Sequence, residues 1–344
     1  GDASPMVSGT DAELAAYRRL YWLFADPLWS RSGNESRIEY FSRVAFAELR
    51  WTVEDMHVLG ADSDRGEIYI RFGPPDIQAA VGPDAQGSGD YSLIWVYRSG
   101  LMFAFTGTIG FGTLRAPHGD VEGATAMIRS QPVRWDNVAS IRVDSVPTQY
   151  ARFRGDSGTV DLYLAAQPPV DSIRKYSDMG AVKGYVWLLT SSTALVFRDS
   201  AQLAAKGSQS WSRRVPPGTY IYRAEATSDG AQRGGRATVL INATASATSG
   251  FSQRGFDISD LLFATSAEPK GESAKRWSDL TIAPTAGAVE RSGQLALVWE
   301  NYEFGQRAGN AQYQVAVTLT KNRTLGGNIA ASIVDSGYIF SSTG

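Results

Sequence analysis

The sequence predicts an α+β N-terminal domain, two helices plus an antiparallel sheet, followed by all-β sandwich domains of immunoglobulin-like type. Three observations predict it. Apolar residues recur at helical spacing from Asp11 to about Asp55. The apolar period then drops to two. Clusters of Gly and Pro separate the later apolar runs at the spacing of a sandwich.

Leu14, Tyr17, Tyr21 and Phe24 place a first helix over residues 11–25, which Pro27 stops. A second helix is expected from about Glu35 to Asp55. Ser36 and Glu39 stand at capping-box spacing, and Ile38, Phe41, Ala45, Leu49 and Val53 give one apolar face. Glu67 to Phe72 alternates and reads as a strand ended by Gly73-Pro74-Pro75-Asp76. Leu93 to Tyr97 and Leu101 to Phe105 read as strands joined at Arg98-Ser99-Gly100. These elements make a first domain over 11–115, with a connector over 116–145.

Val160 to Ala165, Tyr185 to Leu189, Ala194 to Phe197, Thr219 to Thr227 and Arg236 to Asn242 read as strands of a β-sandwich over 146–245. Ala243 to Gly250 is a Thr/Ser/Ala-rich boundary. Ile258 to Phe263, Leu295 to Trp299 and Tyr313 to Leu319 predict a second sandwich unit over 251–344, expected to be incomplete at its C-terminal end.

The totals narrow the function. A net charge of −2 gives no basic excess to hold a phosphate backbone, so no nucleic-acid partner is expected. With no cysteine, thiolate catalysis, disulfides and thiolate-bound metals are excluded. No apolar stretch reaches the ~18 residues of a transmembrane helix. The polar start Gly1-Asp2-Ala3-Ser4-Pro5 does not read as a signal peptide.

Candidate chemistry is sparse. The two histidines, His57 and His118, lack partner spacing for a metal or a proton relay. Gly107 to Gly112 lacks the lysine of a phosphate loop and reads as a glycine-rich hairpin. Asp62 to Glu67 begins like a calcium loop, but Gly66 and Gly73 fall out of register, so a tight turn is expected. No serine elbow precedes a helix. Expected catalytic, cofactor and metal residues are therefore none.

The stretch Leu59 to Asp76, LGADSDRGEIYIRFGPPD, resembles the GWxTD domain of bacterial proteins. Gly60-Ala61-Asp62-Ser63-Asp64 stands at the hallmark turn, with Ala61 for its tryptophan and Ser63 for its threonine. Gly60, Asp64, Arg65, Gly66, Gly73, Pro74, Pro75 and Asp76 carry the match, and Trp22, Pro27, Trp95 and Phe103 extend it across about 12–115. The resemblance implies an exported bacterial protein in the periplasm, on the outer membrane or outside the cell, and it implies no reaction. The matching residues have a mechanical reading as turns and backbone anchors.

The expected function is a non-catalytic structural or interaction protein of the envelope or cell surface, with a protein partner or self-assembly. The alternatives are a carbohydrate- or peptide-binding module, which would expose aromatics among Trp187, Trp211, Trp277 and Trp299, and a hydrolase using paired carboxylates.

Overall fold

The computed structural model describes residues 9–82, 92–107, 113–115, 121–130, 142–175, 181–203, 208–228, 233–244, 257–272, 274–286, 294–302, 317–321 and 329–333. The chain is α+β at first and β-rich thereafter. Helix α1 (Asp11–Ala25) opens on a capping box, with the Glu13 carboxylate accepting the Thr10 amide at 2.8 Å. Helix α2 (Glu35–Trp51) is capped by Asn34, whose side chain accepts the Arg37 amide at 2.9 Å. The expected Ser36–Glu39 box does not form. Ser36 already lies inside the helix, and its hydroxyl donates to Ala25 O at 2.8 Å.

Glu67 to Phe72 is helical, not a strand: helix α3 spans Asp64–Phe72. Ser63 caps it by accepting the Gly66 amide at 3.1 Å, and Asp64 and Glu67 stand favourably in its first turn. Ile68 and Phe72, which alternate as strand residues would, are i,i+4 neighbours on one buried helix face. Gly73, at φ 77°, ends the helix in the left-handed region that glycine enters freely.

Strands β1 (Ile77–Val81), β2 (Ser92–Val96), β3 (Met102–Thr106) and β4 (Thr113–Arg115) form one antiparallel sheet in chain order. The segment expected as a connector carries helix α4 (Val121–Ser130) and strand β5 (Arg142–Ser145). Then come β6 (Thr148–Arg154), β7 (Val160–Ala166), the short helix α5 (Val170–Lys175), β8 (Lys183–Thr190), β9 (Leu195–Gln202), β10 (Gln209–Val215), β11 (Gly218–Thr227) and β12 (Arg233–Ala243). The last described strands are β13 (Asp257–Ile258), β14 (Leu262–Pro269), β15 (Leu280–Pro284), β16 (Ala296–Val298), β17 (Asn301–Tyr302), β18 (Val317–Lys321) and β19 (Ile329–Ile333).

Two compact units result. The first comprises Gly1–Val146, Pro168–Lys206 and Ile221–Val239; the second comprises Pro147–Gln167, Gly207–Tyr220 and Leu240–Gly344. In the first, one core packs Trp51 of α2, Ile68 and Phe72 of α3 and Ile128 of α4 against Trp95, Phe103 and Phe105 of the four-stranded sheet. Its second sheet runs β5-β12-β11-β8-β9, with β5 parallel to β12. In the second unit, β10-β7-β6 and β15-β14-β16 are antiparallel sheets, and Phe153, Tyr163, Leu262 and Val298 share a core.

Candidate functional site

The residues of the Gly60–Asp76 stretch are placed by close backbone packing. Gly60 opens a 3-10 turn against α2, where an added Cβ would stand 2.0 Å from Ala47 O and 2.9 Å from Glu48 Cα. A Cβ on Gly66 would stand 1.9 Å from Gly60 O. Three stretches of main chain thus touch with no room for a side chain. The Glu48 carboxylate accepts the Gly60 amide at 3.0 Å, the Ala61 amide at 3.3 Å and the Thr52 hydroxyl at 2.8 Å. The Thr52 hydroxyl above all, and then the two amides, holds Glu48 below the usual carboxylate range.

Asp64 accepts the Leu114 amide at 2.7 Å and so ties α3 to β4. Arg65 lies over the Phe105 ring at 5.7 Å, in a cation–π contact. Burial, and next the like charge of Arg50, draws its guanidinium below its usual range. Gly73 O accepts the Tyr97 hydroxyl at 2.9 Å, and Pro74 and Pro75 lead on into β1. Asp76 accepts the Arg98 amide at 2.7 Å and pairs with Arg98 Nε at 2.8 Å. Every contact named here fixes one element on another.

The remaining chemical candidates do not converge. His57 is exposed in a left-handed turn at φ 51°. His118 and residues 108–112 lie outside the described residues; β3 and β4, which flank the latter, pair antiparallel. Among the described residues no cluster of three His, Cys, Asp or Glu side chains could hold a metal ion. In the calcium-like stretch, Ser63 caps a helix and Asp64 is engaged by a backbone amide.

Trp187 and Trp211 are buried. Trp277, half-buried, stacks on Phe153 at 5.0 Å and meets Tyr163 edge-on at 5.7 Å. Half-buried Trp299 donates to Asn301 at 3.1 Å. This packing opposes the aromatic platform that a glycan needs. Asp260, Asp161 and Glu300 of the second unit each face an arginine. Asp260 takes Arg152 through both oxygens at 2.7 and 2.9 Å. Asp161 takes Arg214 at 2.6 and 3.0 Å, and Glu300 takes Arg276 Nε at 3.4 Å.

Sequence reasoning singled out neither Arg223 nor Glu225, both 1% exposed on β11. The Glu225 carboxylate accepts Arg223 Nε at 2.5 Å and the amides of Trp29 and Ser30 at 2.9 Å each. Arg223 Nη2 donates to Asp26 O and Pro27 O at 3.0 Å, and the guanidinium lies 4.0 Å over the Trp29 ring. The signal was the period-two series Ile221, Arg223, Glu225, which puts both charges on one sheet face. Asp26, beside them, is pushed up to about 6, mainly by burial.

The feature with an outward-facing consequence is α2. An apolar helix stripe ordinarily faces the core. Here the inward face carries Ser36, Arg43, Ala47 and Trp51. Arg43 Nε pairs with Glu39 at 2.8 Å and Nη1 donates to Ile70 O at 3.1 Å. The predicted apolar face points to solvent, with Ile38 60%, Phe41 51% and Leu49 91% exposed. Tyr21 and Phe24 of α1, each 40% exposed, extend it through Trp22, whose ring stands 5.0 Å from Tyr21 and 6.1 Å from Phe41.

In comparison with known proteins, the chain matches no family model, no curated protein and no solved structure. No helix among the described residues is long and apolar enough to cross a membrane.

Proposed function

We propose that the chain is a non-catalytic structural or interaction protein of the bacterial envelope or cell surface, and that it takes a protein partner on the outer face of α2. The observation that carries this reading is the solvent-facing stripe of Ile38, Phe41, Ala45 and Leu49 on a helix whose other face is already packed. The resemblance of Leu59 to Asp76 to the GWxTD domain supports the bacterial, extracytoplasmic setting. The long antiparallel strands after residue 147 support reading the β-rich part as immunoglobulin-like.

A photoreactive residue at position 49, introduced into the protein in living cells, tests the proposal. Cross-links to envelope or surface proteins are expected. Cross-links to cytosolic proteins alone would overturn the compartment, and an unmodified chain at every light dose would overturn the docking face.

A further inference from the structure

Resting on that reading, we infer that the partner on the outer face of α2 is a second copy of this chain, packed α2 to α2 and antiparallel about a two-fold axis. Three observations carry it. Tyr21, Phe24, Ile38, Phe41 and Leu49 are each 40% or more exposed, which at roughly 150–250 Å² per large side chain makes an apolar surface on the order of 500 Å². That stands at the upper end of the ~300–600 Å² of the largest patch on a typical monomer, where such patches are often functional, and with the flanking side chains it approaches the ~800 Å² per partner of a standard interface.

The stripe is also self-complementary in length. Ile38 and Leu49 are its two ends, about 16 Å apart at 1.5 Å per residue. An antiparallel copy centred between Phe41 and Ala45 seats Ile38 of each chain on Leu49 of the other, and the small Ser42 and Ala45 fill the centre, where two helices approach most closely.

Charge fits the same symmetry. Arg37 and Glu48 lie on one flank of the stripe, at opposite ends. In an antiparallel pair the same flanks meet, so Arg37 of each copy comes within reach of Glu48 of the other, at both ends. A parallel pair sets this flank of one copy on the opposite side of the seam from that of the other, and forms neither Arg37–Glu48 pair. The Glu48 carboxylate is already positioned by the Thr52 hydroxyl and the Gly60 and Ala61 amides, which draw it below the usual carboxylate range.

Sedimentation of the full chain across a concentration series tests this. A monomer–dimer equilibrium is expected. Leu49→Glu abolishes the dimer and leaves the melting temperature unchanged at concentrations where the parent chain is monomeric, since Leu49 makes little contact within the chain. Arg37→Glu weakens it at least tenfold, less so in high salt. The chain has no cysteine, so single cysteines report the register. Ile38→Cys mixed with Leu49→Cys gives a disulfide-linked dimer, and neither variant does so alone. A monomer throughout, a dimer indifferent to Leu49→Glu, or cross-linking of each cysteine variant with itself would overturn the inference. If the chain is monomeric yet position 49 captures an envelope protein in cells, the second copy is refuted and the interaction reading stands. A monomer that captures nothing refutes both.

Discussion

Glu225→Gln is the sharpest test of how the first unit is held together. The carboxylate is fully enclosed and accepts three donors, one from a buried guanidinium and two from the backbone between α1 and α2. Glutamine keeps the shape, loses the charge and turns an N–H₂ group toward existing N–H donors. Arg223 is left buried without its counter-charge, a situation that costs about 3–5 kcal/mol. Glutamine's remaining oxygen can still accept one amide, which places the expected loss near ~3 kcal/mol. Against a total stability of roughly 5–15 kcal/mol this is a large share. Urea unfolding followed by tryptophan fluorescence reads it, because Trp29 meets Trp187 edge-on at 5.8 Å beneath the ion pair. The midpoint falls with the slope unchanged, and the Trp29 and Ser30 amides lose hydrogen-exchange protection. A loss under about 1 kcal/mol with both amides still protected would refute the reasoning.

Other outcomes follow from the same geometry. Gly66→Ala drives a Cβ to 1.9 Å from Gly60 O and is expected to cost about 3 kcal/mol or more in thermal or urea unfolding. Asp64→Ala strands the Leu114 amide and costs about 1–3 kcal/mol, read as faster exchange of that amide. Asp26 titrates at about 6 when folded, against 3.8 for the free side chain, so the folded chain binds the extra proton between those values. Stability therefore falls as pH rises through that window. Asp26→Asn, which can still accept the Leu28 amide, flattens that part of the pH profile. It stabilises the protein at pH 7 by roughly 1 kcal/mol, after discounting for partial exposure.

Much of the fold was legible because periodicity and turn residues are local. Asp11–Ala25 shows the spacing of Leu14, Tyr17 and Tyr21, and β2 and β3 show alternating aromatics around a Gly100 turn. Two kinds of element were not. Short runs are ambiguous: in Glu67 to Phe72, Ile68 and Phe72 satisfy period two and period 3.6 equally, and the tie is broken by the Ser63 cap. Strands whose faces are closed by ion pairs also lack an apolar signal. β6 presents Arg152 and Arg154 where they meet Asp260 and Asp257, and β10 presents Arg214 to Asp161. Long-range partners of this kind cannot be read from one segment. The same limit hid Arg223 and Glu225, whose pairing with the loop after α1 spans nearly two hundred residues of sequence.

The rotation of α2 links the Gly60 turn to the exposed stripe. The sequence shows its apolar stripe plainly, yet not which way the stripe faces, because that depends on what the opposite face must accept. Gly60 and Gly66 build a surface that only main chain and a residue as small as Ala47 can approach. Were α2 turned half a revolution, Leu49 or Phe41 would have to enter a space that a single Cβ already overfills. The glycines therefore select the small, Arg43-bearing face of α2 for the interior and leave Ile38, Phe41 and Leu49 outside. On this account the turn at Gly60 acts at the surface without being part of it: it sets the angle at which α2 offers its stripe. Ala47→Leu, which enlarges the inward face against that turn, should then disturb association and stability together, whereas Leu49→Glu disturbs association alone.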